Sequence, residues 1–226
     1  MLFKSAYLGN NEIVKAYKGD TLFYEKQQPT PTEDYVRDGL ILFLDGLNQG
    51  NEAGKWIDTI GGKEFTLANA TQNANHISFA NGNARCPDSL AYQTIEIVCN
   101  ITAATGYMTL WTANGDKHCN IFKNNNNLGF GGNSSDPSIS LAINVIRQYS
   151  ALFGTAYTDI KVNNITQTTG NATAWSSTPS GMNIGYYNGN YNLTADVYAI
   201  RLYNRQLTDA ERLQNYQYDV QRFGLS

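Results

Sequence analysis

The chain has 226 residues, of which 42% are hydrophobic and only 15% charged, with a formal net charge of −3. That is apolar material enough for a sizeable core, but no basic run appears, so the electrostatic footprint of a nucleic-acid binder is missing. The longest apolar stretch, Leu40 to Leu44, is far too short to span a membrane.

Residues 1–25 carry an internal repeat. Tyr7-Leu8-Gly9-Asn10 opens one unit and Tyr17-Lys18-Gly19-Asp20 the next, each followed by a short apolar run. Gly beside Asn or Asp supplies the positive φ of hairpin turns, so the segment is predicted to be a small β-meander, too small to be stable alone. It has no apolar region of signal-peptide length. The expectation is use inside a cell or exit without a cleaved signal, with a virion or an extracellular location after release. Residues 26–35 contain Pro29 and Pro31 among polar residues and read as a linker.

Residues 36–226 read as one all-β domain. Gly39-Leu40-Ile41-Leu42-Phe43-Leu44-Asp45-Gly46 is a continuous apolar run ended by a turn signal, which suits a strand buried on both faces. Residues 94–100 alternate Ile95, Ile97 and Cys99 against Thr94, Glu96 and Asn100. Residues 138–145 place Ile139, Leu141, Ile143 and Val145 on one face. Residues 158–163 and 197–203 make further strands, and Met182, Ile184 and Tyr186 share a face. Many short strands with polar turns predict an antiparallel sandwich. The one helix comes last: Thr208-Asp209-Ala210-Glu211 is a capping box, Leu213, Tyr216, Val220 and Phe223 fall on one helical face, and Gly224 is the stop.

The order of these pieces resembles the laminin-G-like domains of the concanavalin A-like lectin/glucanase superfamily. Four segments carry the likeness: GLILFLDG at 39–46, the W-x-D-x-x-G-G turn at Trp56 to Gly62, the strand and turn at Asp159 to Ile165, and the closing MNIGY and IRLYNRQLT segments at 182–186 and 200–208. The resemblance implies a two-sheet jelly roll with a C-terminal helix. The N-terminal repeat resembles segments on tail-associated proteins of phages and prophages. It implies other virion or tail proteins as partners.

The sequence argues against catalysis. Glucanases of this superfamily present carboxylates as E-x-D-x-x-E on one strand, and glycoside hydrolysis needs two carboxyl groups flanking the bond. Glu96 has no acidic neighbour at 94 or 98 and reads as a solvent-facing strand residue. His76 and His118 do not build a zinc set, and no Gly-x-Ser-x-Gly elbow occurs. No cofactor is assigned. Calcium is the ion left open, since Asp45, Asp58, Asp116, Asp136 and Asp196 border loops, although none stands in a D-x-[DN]-x-[DN]-G loop. Residues 198 and 199, where family members often carry acids, are Tyr and Ala. The three cysteines, Cys86, Cys99 and Cys119, include no Cys-x-x-Cys pair and read as unpaired thiols.

Sugar binding needs aromatic faces with amide and hydroxyl groups around them. Trp175, Tyr187, Asn188, Asn190 and Tyr191 offer that mixture, with Tyr187 and Tyr191 on either side of a polar turn. Tyr186 lies in the same aromatic and amide-rich stretch, but its alternation with Met182 and Ile184 assigns it to the core. Trp111 is either core or a second locus. The function expected is a non-catalytic carbohydrate-binding or structural module contacting a surface polysaccharide, on a phage or prophage tail. The alternatives are a secreted bacterial glycan-binding domain or glycosidase remnant, and a virion protein making only protein contacts.

Overall fold

The computed structural model describes residues 34–50, 52–103, 106–113, 118–122, 127–130, 138–153, 158–170, 181–187 and 191–225, together with four short strands before residue 26. The chain divides into two compact units, Met1–Glu33 and Asp34–Ser226. In the first, β1 (Tyr7–Leu8) pairs antiparallel with β2 (Asn11–Glu12), and β3 (Lys15–Lys18) with β4 (Thr21–Glu25).

The second unit is an antiparallel β-sandwich with one helix. Its first layer contains β5 (Leu40–Asp45), β9 (Thr94–Ile101), β14 (Ile146–Phe153), β15 (Thr158–Val162) and β16 (Ile165–Gly170). Its second layer contains β6 (Lys55–Ile57), β7 (Glu64–Gln72), β10 (Met108–Ala113), β11 (His118–Phe122), β12 (Asn127–Phe130), β13 (Ser138–Ser140) and β17 (Met182–Ile184). Two long strands join the layers: β8 (Ile77–Cys86) and β18 (Leu193–Tyr203). Residues 193–197 of β18 pair with 77–82 of β8, whereas residues 199–203 pair with β5. Strand β8 pairs in turn with β17 through Ala84, Arg85 and Cys86. Register shifts at Leu193/Thr194 in β18 and at Ala68/Ala70 in the β7–β8 pair mark where the strands bend.

The alternation in β9 is realised. Ile95, Ile97 and Cys99 join Leu42, Leu44, Trp56, Trp111 and Ile200 in the core between the layers. The W-x-D-x-x-G-G turn has a specific task. Trp56 is fully buried and donates Nε1–H to the Asp45 carbonyl, while the Asp58 carboxylate accepts from the backbone N–H groups of Phe43, Ile60 and Gly61. One buried carboxylate thereby fixes the turn and supplies an acceptor to β5. The strand expected over 138–145 is shorter: it ends at Ser140, and Asn144 takes a left-handed φ of 61°, so the chain turns before β14 begins. Ile143 is left partly exposed.

Helix α1 (Asp209–Phe223) has the predicted capping box, and Gly224 ends it in the left-handed conformation. It lies on the outer face of the first layer, where Phe223, Tyr216 and Val220 pack with Phe43, Val98 and Tyr198. This explains why β5 is buried on both faces. The stripe of the helix buried deepest is mostly polar and meets the expected apolar one at Phe223. It is Arg212, Asn215, Asp219 and Phe223, spaced at helical intervals over β9 and β18.

Beneath that stripe lies a buried polar network. Arg201 makes a bidentate pair with Asp219 and donates Nε–H to Glu96 at 3.1 Å. Asn215 donates to Glu96 at 2.7 Å and to the Tyr203 hydroxyl at 2.9 Å. Arg212 donates to Ser150 Oγ and to Asp159. Glu96 is therefore not solvent-facing. It is 1% exposed, because the face of β9 that alternation left polar is the one the helix covers. Burial pushes its carboxyl above the usual range, Arg201 works against that, and Asp219 adds to the rise.

Candidate functional site

The helix covers the outer face of the first layer. On the second layer, β7, β8 and β17 bound a groove of about 550 Å³. Thr66 and Ala68 come from β7, Asn83 and Arg85 from β8, and Asn183 from β17, with Pro87 and Tyr186 at its ends. These residues follow from strand period. Ala84 and Cys86, and Met182 and Ile184, point into the core, so the residues between them face outward. A second stretch of about 480 Å³ shares Thr66, Cys86 and Pro87 with the first and extends to Gly61 and Gly62 of the W-x-D-x-x-G-G turn.

Tyr186 breaks the alternation of Met182 and Ile184 because Gly185 intervenes with φ 65°. A Cβ at that position would run into the carbonyl oxygen of Gly82. The reversal carries Tyr186 out of the core and onto the groove, contrary to its assignment from periodicity. Its ring centroid lies 4.0 Å from the Arg85 guanidinium carbon, within cation–π range. Arg85 Nε–H reaches Asn183 Oδ1 at 3.4 Å, and Asn183 Nδ2 donates to Thr112 Oγ1 at 3.4 Å. Asn83 donates to the Asn192 side chain. Of the described residues lining the first stretch, only Arg85 carries a formal charge. In the second stretch Lys63 pairs with Asp88 at 2.6 Å, and Glu64 pairs with Lys55 at 2.8 Å.

Of the residues nominated from sequence, Tyr187 is 9% exposed and Tyr191 is half-buried with φ 65°. Their rings lie 5.6 Å apart, and Tyr107, which is 48% exposed, meets Tyr191 edge-on at 5.8 Å. Backbone bonds hold this segment to β10: Thr109 N–H donates to the Tyr191 carbonyl, and Gly185 N–H to the Thr109 carbonyl. Trp175, Asn188 and Asn190 lie outside the described residues. Trp111 is fully buried in the core. The groove residues Thr66, Asn83, Arg85 and Asn183 escaped sequence reasoning. The one signal that could have found them is the outward phase of β8 and β17.

The loop aspartates were tested as metal ligands. Asp58 is used by three backbone N–H groups, Asp45 is held by Arg222 at 2.8 and 2.9 Å, and Asp196 accepts from Ser78 at 2.6 Å. Asp116 and Asp136 lie outside the described residues, and among the described residues no three His, Cys, Asp or Glu side chains converge. Ser78, His76 and Asp196 also meet, with His76 Nε2 3.1 Å from Ser78 Oγ. That hydroxyl gives its proton to Asp196 while accepting from Asn73 Nδ2. A nucleophile would need the proton directed at the histidine. Cys86 and Cys99 are free and buried; the Cys119 side chain lies outside the described residues.

No protein-family model and no curated protein matches the chain. Solved structures do. A mutant of Trypanosoma rangeli sialidase displaying trans-sialidase activity aligns at TM-score 0.65 and 18% identity, over 83% of this chain and 34% of that one. The same organism's sialidase in complex with sialic acid aligns at TM-score 0.61 and 18% identity, over 83% and 34%. The botulinum neurotoxin serotype D binding domain aligns at TM-score 0.59 and 13% identity, over 81% and 52%. The chain thus spans about a third of the sialidase length. The likeness is one of fold alone.

Proposed function

We propose that the sandwich is a non-catalytic carbohydrate-binding module whose ligand lies along the groove between Tyr186 and the W-x-D-x-x-G-G turn. The observation that carries this reading is the groove itself: a channel of about 550 Å³ on the second layer, with an aromatic ring beside amide, hydroxyl and guanidinium groups. Sugars present apolar C–H faces and rings of hydroxyls, and those are the partners such a lining offers. Among the described residues no carboxylate lines the first stretch, whereas glycosidic cleavage needs a pair of them. The shared fold with a sialidase solved in complex with sialic acid and with a toxin binding domain supports a glycan as the ligand class.

A glycan array on the full chain tests the reading. Binding should fall about tenfold or more in Tyr186→Ala, and less in Tyr191→Ala. Binding that both variants leave unchanged moves the site elsewhere. Reducing-sugar release from a polysaccharide panel checks the non-catalytic part, and clear turnover would refute it. The placement on a phage or prophage tail rests on the N-terminal repeat. Co-purification of the chain with virions from a lysogen carrying its gene would support it, and a chain found only in the virion-free fraction would remove it.

A further inference from the structure

We infer that the groove selects sugars bearing a carboxylate, with Arg85 as the anchoring residue; this rests on the carbohydrate reading and narrows it. Arg37, Arg201, Arg205, Arg212 and Arg222 each pair with a carboxylate of the chain. Arg85 and the half-buried Arg147 have no such partner among the described residues, and of the two Arg85, on β8, is the exposed one. Its position is nevertheless held. The guanidinium stacks 4.0 Å from the Tyr186 centroid, and Nε–H is directed at Asn183 Oδ1. Asn183 is itself 1% exposed and tied to Thr112, so the clamp is built from the sheet.

That arrangement uses one face and one edge of the guanidinium. The two Nη groups make no hydrogen bond to the described residues. A planar fork of N–H donors, already oriented, matches the two oxygens of a carboxylate. Because the stacked ring restrains the side chain, less rotamer freedom is lost on binding than for a free arginine. A neutral sugar would leave that fork facing water. The neighbouring cation, Lys63, is engaged by Asp88, so among the described residues the groove offers one uncompensated positive charge, which suits a monoanionic sugar unit. Thr66 and Asn83, exposed and half-buried along the same channel, are placed for the hydroxyls of that unit.

Calorimetric titration of the full chain tests this with paired probes: sialyllactose against lactose, an oligogalacturonate against its carboxyl-reduced form, and a sulfated oligosaccharide of similar size. At least one carboxylated probe should bind about tenfold or more tightly than its neutral counterpart, and Arg85→Gln should erase that difference. Arg85→Lys should restore only part of it, since an ammonium keeps the charge without the fork. Neutral and carboxylated probes binding alike, a preference surviving in Arg85→Gln, or a preference for the sulfated probe alone would each overturn the inference. If neutral glycans bind and Tyr186→Ala abolishes that binding, the carbohydrate reading stands and only acid selectivity falls. If no glycan of either kind binds, both fall together.

Discussion

Replacing Asp219 with Asn should destabilise the sandwich by about 3 kcal/mol, whereas replacing Glu96 with Gln should cost about 1 kcal/mol or less. Both changes preserve shape and remove one negative charge from the same buried network. They differ in what Arg201 loses. Asp219 is its bidentate partner, with one contact at 2.9 Å, and also accepts from Gln148 at 2.8 Å. At an effective dielectric of 20, a unit-charge pair at that separation attracts by about 6 kcal/mol, offset by the desolvation of both ions. Asparagine leaves a guanidinium that is 1% exposed holding only Glu96. Glu96→Gln leaves the bidentate pair intact, and burial already disfavours the Glu96 anion. The sign of its pH dependence follows. A raised carboxyl pKa favours the fold in the protonated state. That contribution is full below the ordinary carboxylate value and is lost as pH rises through the raised one, and Glu96→Gln should flatten the dependence. Urea unfolding followed by far-UV circular dichroism measures both variants at an unchanged m-value. For a domain of this size about 3 kcal/mol corresponds to a melting shift of roughly 6–12 °C. Glu96→Gln proving as costly as Asp219→Asn would refute this assignment of charge within the network.

Glu211, hydrogen-bonded by Arg205 at 2.6 Å, has its carboxyl lowered to about 2. Its contribution is therefore present above the ordinary glutamate value and lost as pH falls toward 2. Glu211→Gln should remove about 1–2 kcal/mol at pH 7, after discounting for solvent screening, and no more than about 0.4 kcal/mol at pH 2, read by melting temperature across that range. Gly185→Ala should cost about 2 kcal/mol or more, because the position has φ 65° and its Cβ meets backbone. If the groove binds as proposed, that variant should also weaken glycan binding by displacing Tyr186. Burial pushes the thiols of Cys86 and Cys99 upward, so iodoacetamide should label neither in the native protein and both in urea, checked by peptide mass spectrometry.

The parts of the fold that could be read from sequence are those where side-chain phase and backbone regularity agree. Ile95, Ile97 and Cys99 alternate into the core, and Thr208 with Glu211 starts the helix as the pattern requires. Elsewhere a second layer of structure changes what a face means. Glu96 sits in outward phase, but outward on β9 is inward with respect to α1. Leu213 and Tyr216 suggested the buried helical stripe, yet Arg212, Asn215 and Asp219 fill it, because a polar stripe on the helix answers Glu96 and Arg201 on the sheet. The groove was hidden for a different reason. Thr66, Ala68, Asn83 and Asn183 are small or polar residues that look like turn material, and β7 and β8 bend at residues where Asn69 and Asn81 take positive φ. Tyr186 was misplaced because a single left-handed glycine inverted the phase.

Strand β18 joins residues remote in sequence: Ala199 pairs with Asp45, and the strand also borders β8 and β9. On a ribosome adding about 5–20 residues per second, the Asp45 end of β5 waits roughly 8–30 s before its neighbour is made. Until then Leu42, Phe43 and Leu44 lack their β18 neighbour, and β5, β8 and β9 cannot be joined through it. The domain is thus committed to folding after nearly all of it is synthesised, with the slow kinetics of non-local pairing. Cold induction or chaperone supply should set its soluble yield, and a truncation before Leu193 should leave β5 as an aggregation edge.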